Sequence, residues 1–229
     1  MKLTGIFSII MMALIVISCG ESNSPSVDNL TLKSNISQTS LSNSTNVKQD
    51  EIQNGITNIK IHSVRILLNN ITIKLNDNER NIKAVPVVFT VTDEVNSYEF
   101  ANADLPQGGI DKIKFEIHRF ASSEIDNYKS NPSLKDFATD ERFTIIIKGT
   151  TINNADETPF EYKSEVVGNL SFDFNPPLLI EDNKNLIVDF EFQSEMVFKD
   201  KGFILDPNDS NNKSHIDNQI KNAIRAIKR

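Results

Sequence analysis

Between Ile56 and Phe192, apolar residues recur at every second position in short runs separated by polar turns. That period of two restricts the chain to half-buried strands. Ile59 and Ile61 alternate with Lys60 and His62, then Val64, Ile66 and Leu68 take the opposite phase. A second shift at Asn69-Asn70 precedes Ile71, Ile73 and Leu75. A slip of one residue turns every following side chain over, so each shift predicts a bulge or a turn. Asn76-Asp77-Asn78 reads as a loop, Val87 to Val91 as a buried strand, and Ser97 to Ala101 as a shorter one. The cleanest alternation sets Ile113, Phe115 and Ile117 inward and Lys112, Lys114, Glu116 and His118 outward. Phe143 to Lys148, then Phe160, Tyr162 and Val166, then Leu170, Phe172 and Phe174 continue it. Leu186, Val188, Phe190 and Phe192 form the last strand, with Asp189 and Glu191 outward. Eight or nine such strands without intervening helices predict a mainly β chain, an antiparallel β-sandwich. The polar stretch from Ala121 to Asp140, with Pro132, reads as a long loop or one holding a helical turn near Ser133-Leu134.

The C-terminus breaks the pattern. Ile216, Ile220, Ala223, Ile224 and Ile227 fall on one face of a helix, predicted over 214–228. Ser214 with Asp217 has the form of a capping box, and Lys221, Arg225 and Lys228 suit the negative end of the helix dipole.

Residues 1–18 read as a signal peptide: Lys2 supplies the positive start, and Ile6 to Ile17 is an apolar run too short to span a bilayer. Val16-Ile17-Ser18-Cys19 resembles the lipobox of bacterial lipoproteins, cut before a cysteine that carries the lipid, here Cys19. Cys19 is the sole cysteine, so no internal disulfide can form and the fold must stand on its core. Gly20 differs from the Asp that resembles an inner-membrane retention signal, which favours the outer membrane. Residues 19–55 are rich in Ser, Asn and Thr, lack aromatics and show no sustained period, and they predict a disordered tether. The remaining 56–229 suffice for one domain. The formal charge of −7 becomes one unit more negative once Lys2 is cut away, and no basic stretch precedes the last helix; nucleic acid is excluded as a partner.

Val64-Arg-Ile-Leu-Leu68, Leu105-Pro106 with Gly108 before Ile113-Lys-Phe-Glu-Ile117, Phe143 to Gly149, Phe160 to Ser164, and Gly202-Phe-Ile-Leu-Asp-Pro207 through Ile220-Lys-Asn222 follow one another in a familiar order. In that order, over roughly residues 60–225, the chain resembles bacterial lipoproteins of the DUF4382 type, from Bacteroidota-like bacteria. The resemblance implies a transthyretin-like (prealbumin-like) sandwich and assigns no activity or functional residue.

Chemistry-bearing motifs are few. HExxH, GxSxG and GxxxxGK[ST] are absent. His62 and His118 fall on outward faces and His215 follows the expected helix cap, which predicts solvated surface roles. A carboxylate pair for hydrolysis cannot be read from spacing. There is no Trp, so an exposed aromatic platform for sugars would rest on Tyr98, Tyr128 and Tyr162. Asp206, Asn208, Ser210, Asn212, Ser214 and Asp217 take the oxygen-ligand positions of a twelve-residue calcium loop. Asn211 replaces its Gly and Asp217 its bidentate Glu, so a plain polar turn is the favoured reading. The expectation is a lipid-anchored envelope module that binds a protein or glycan or serves structurally, not an enzyme, with no required cofactor. One alternative is a calcium-stabilised carbohydrate- or protein-binding domain. The other is a hydrolase, supportable if carboxylates or a histidine converge in a concave pocket.

Overall fold

A computed structural model describes residues 28–43, 55–75, 78–83, 86–154 and 156–228. Residues 1–18, expected to be a signal peptide, and Cys19 lie outside the described residues. The fold is mainly β, with two sheets packed face to face around one core. The spine of the large sheet is β3 (Asn58–Leu75), which follows β1 (Leu30–Ile36) and β2 (Ser40–Ser42). Then come β4 (Asn78–Lys83), β5 (Val87–Thr92), β6 (Tyr98–Ala103), β7 (Gly108–Ile117), β8 (Ile145–Asn153), β9 (Asp156–Ser164), β10 (Gly168–Ile180) and β11 (Leu186–Phe192). The large sheet runs β10-β7-β3-β8-β9, with β2, β4 and β5 also paired to β3.

Both phase shifts in β3 are bulges. Its register slips against β8 between Ile61 and Ser63, and against β7 between Leu68 and Asn70. The slips keep Ile59, Ile61, Val64, Ile66, Leu68, Ile71 and Ile73 all buried on one face, which is how one strand of this length stays in contact with a twisted core.

The small sheet runs β14-β11-β1-β6, where β14 is Ile224–Lys228. Here two expectations fail. The segment 19–55 is no tether where it is described: β1 is an interior strand, parallel to β11 and antiparallel to β6, and Leu30, Leu32 and Leu41 are fully buried. Ladders on both sides satisfy the backbone of β1, so Leu30 and Leu32 among polar residues suffice to hold it, while Leu41 anchors β2 against β3. The helix expected over 214–228 is α3 (Lys213–Ile220), and the chain then turns so that β14 pairs with β11. Covering the open edge of β11 outweighs continuing a short helix, and Arg225 meets Glu191 across the ladder at 2.6 Å. Asp189, expected outward, is buried in this sheet.

The sheets meet through rings. Phe115 of β7 and Phe190 of β11 lie 4.7 Å apart edge to face, with Phe172 and Phe100 packed on Phe190. A pair β12 (Lys199–Asp200) and β13 (Phe203–Ile204) follows α2 (Ser194–Phe198), and Val197, Phe198, Ile216 and Ile220 from α2 and α3 join the core.

Candidate functional site

The outward side of the large sheet is not uniformly polar. Leu67 and Ile146 point away from the main core yet are buried, because the connection from β7 to β8 folds back over them. That connection carries α1 (Ile125–Tyr128) and a turn at 132–137, and it contributes Phe120, Leu134, Phe137 and Ala138 to a second apolar cluster. Arg65 pins the lobe to β3. Its guanidinium lies over the Phe137 ring at 5.1 Å, donates to the Ser133 carbonyl at 2.6 Å and pairs with Asp136.

Between this lobe, β5 and β6 opens a recess of about 710 Å³, lined by Arg65, Tyr98, Phe100, Tyr128 and Asn131 among others. It falls in the size range of small-ligand sites. Tyr98 and Tyr128, from distant parts of the chain, thus share one cleft. Neither ring swings freely: the Tyr98 hydroxyl bonds Thr92 Oγ1 at 2.9 Å, and Tyr128 stacks on Phe120 at 4.5 Å. Tyr162 is buried elsewhere and is no platform.

Two residues further along the β3–β5 ladder lies a second depression, of about 720 Å³. His62 sits at the first bulge of β3 and is 40% exposed. Its Nδ1 is 2.8 Å from Asp93 Oδ2, and its Nε2 is 3.0 Å from Thr150 Oγ1. Asp93 follows β5 and also donates its backbone N–H to the His62 carbonyl at 3.1 Å. The hydrogen bond from His62, with the Lys60 ammonium at 3.6 Å, holds the Asp93 carboxyl below the usual carboxylate range. His62 is therefore more than a solvated surface residue. Thr150 and Asp93 were invisible to sequence reasoning, although the phase break at His62 marked the spot. His118 stays exposed with Nδ1 against the Arg119 carbonyl, while the Nε2 of His215 is buried without a hydrogen-bond partner.

The 206–217 window spans a turn, a 3-10 turn at Ser210–Asn212 and the start of α3. Asp206 Oδ1 accepts from the Asn208 N–H at 2.8 Å, and Asn212 Nδ2 donates to the Asp206 carbonyl. Asp217 is turned onto β9: the Tyr162 hydroxyl donates to its Oδ1 at 2.6 Å, and Lys213 Nζ stands 3.6 Å from Oδ2. Burial first, and then this carboxylate, push the Tyr162 phenol far up. Ser214 is inside the helix and not its cap; Asn212 holds that position, and the cap hydrogen bond lies one turn earlier, where the Asn211 N–H donates to Asp209 Oδ1. Among the described residues, no three His, Cys, Asp or Glu side chains are grouped to hold a metal ion. Comparisons with protein-family models, curated proteins and solved structures found no match.

Proposed function

We propose that the chain is a lipid-anchored lipoprotein of a bacterial cell envelope, held on the outer membrane through Cys19, and that its domain binds a protein or glycan in the recess beneath the lobe. The observation that carries the anchoring is sequential: Lys2, the apolar run from Ile6 to Ile17, then Ser18-Cys19-Gly20 with the one cysteine of the chain. With β1 starting at Leu30, only residues 20–29 separate the lipid from the fold. Fully extended they reach about 35 Å, so the domain would work close to the bilayer surface. Binding is supported by the recess itself, in which aromatic rings from β6 and the lobe are held in place beside Asn131 and Arg65. Preorganised rings lose little freedom on binding, which favours affinity.

The test is metabolic labelling with a clickable fatty acid. The wild-type chain should take the label and lose residues 1–18. Cys19→Ala should remain unlabelled and keep its precursor mass. Equal label on the variant would overturn the anchoring.

A further inference from the structure

The geometry points to an acyl-transfer centre in the second depression, with Thr150 as nucleophile, His62 as its general base and Asp93 as the residue that orients the base, acting on short carboxylic esters. This goes beyond the binding role of the recess and does not depend on it.

The three side chains come from three places, namely the bulge of β3, the turn after β5 and the middle of β8, and they meet in the order carboxylate, imidazole, hydroxyl. Both contacts fall within the reach that a nucleophile, its base and an orienting group require. The direction of the relay follows from hydrogen-bond chemistry. An ionised carboxylate only accepts, so the neutral His62 ring must carry its proton on Nδ1 toward Asp93. Nε2 is then a lone pair facing the Thr150 hydroxyl, which donates to it. The backbone bond from Asp93 N–H to the His62 carbonyl continues the β3–β5 ladder and brings the Asp93 carboxylate beside the imidazole.

The substrate class follows from what surrounds the relay. Thr150 is paired within the ladders to β3 and β9, and its neighbours' amides belong to those ladders rather than to an open oxyanion hole. Lys148, two residues before Thr150 on β8, lines the same depression with its ammonium 3.2 Å from Glu161, and it would be the cation to steady a developing oxyanion. One partly exposed cation gives modest stabilisation, adequate for an ester with a stable leaving group and short of what an amide demands. Pro159, opposite Thr150 in the ladder, supplies an apolar edge for a short acyl chain, while the Phe160 ring turns into the core on the other face of the sheet.

The chemistry closes without a cofactor. Thr150 Oγ attacks the ester carbonyl carbon while its proton passes to His62 Nε2. The tetrahedral adduct expels the alcohol oxygen, which takes that proton and leaves an acyl-threonine. Water then gives a proton to Nε2 and attacks the acyl carbon. The Thr150 oxygen departs, recovers the proton and frees the carboxylic acid, so one ester and one water become one acid and one alcohol.

The experiment uses the purified full chain with p-nitrophenyl acetate and p-nitrophenyl butyrate, following nitrophenol release and, by mass spectrometry, acylation of the peptide containing Thr150. Thr150→Val and His62→Gln should lose on the order of 10³-fold in turnover with unchanged melting temperature. Thr150→Ser should keep activity, and His118→Gln, removing a surface imidazole elsewhere, should match wild type. The proposal is overturned if wild type is no faster than Thr150→Val, or if the acyl group is found on residues other than Thr150. Neither result bears on lipid attachment or on binding in the recess.

Discussion

Gly149 stands beside Thr150 and has no room for a methyl group. A Cβ there would lie 2.3 Å from the Lys60 carbonyl oxygen and 2.5 Å from the Phe160 ring. The backbone oxygen cannot give way without moving β3, so Gly149→Ala should lower stability by about 1–3 kcal/mol, read as a shifted urea midpoint at unchanged slope. An unchanged midpoint would mean that the β3–β8 pair spreads more easily than its ladder suggests. Asp217 tells a second story at this scale. Its carboxylate serves to fasten α3 to β9 through Tyr162, which leaves the 206–217 window short of the group a calcium loop needs at its last position. Millimolar calcium should therefore leave the melting temperature where it is, while Tyr162→Phe should lower stability by about 1.5–3 kcal/mol. A calcium-dependent rise abolished by Asp206→Ala would contradict this. Such side-chain partnerships were not legible in the sequence, because Asp93 and Thr150, or Tyr162 and Asp217, are joined only by the topology. What could be read was the local irregularity at His62, since a broken alternation leaves a trace in the apolar pattern itself.

At the scale of elements, a strand whose apolar residues alternate without interruption, such as β7, was legible because the alternation alone decides which face is buried. Two of the misread elements, β1 and β14, belong to the small sheet. In β1 the alternation of Leu30 and Leu32 is too brief to stand out from its Ser- and Asn-rich surroundings, and it becomes decisive only because β11 and β6 flank it. In β14, Ile224-Arg-Ala-Ile fits a helix face as readily as an edge strand, a short apolar pattern that periodicity cannot arbitrate. The position of β1 sets a firm expectation. Leu30, Leu32 and Leu41 would each contribute about 1.5–3 kcal/mol by burial, against a total stability of roughly 5–15 kcal/mol. A chain beginning at Gly55 should therefore lose its cooperative thermal transition, whereas one beginning at Asp28 should melt like the whole. If the shorter chain melts normally, β1 is dispensable to the small sheet.

Taken whole, the molecule is a sandwich whose long spine strand belongs to one sheet and whose two terminal segments both belong to the other. Leu30 pairs with Leu186 and Ile36 with Phe192, so the first strand among the described residues finds its parallel partner only when most of the chain has been made. Contacts this distant in sequence must be bought with loop-closure entropy before they repay it, which places the small sheet among slowly assembling topologies. On the export route proposed for the chain, this ordering would act as a delay. On that route a segment close behind the signal would not lock into place early, and the chain would stay extended enough for translocation until its far end had been made.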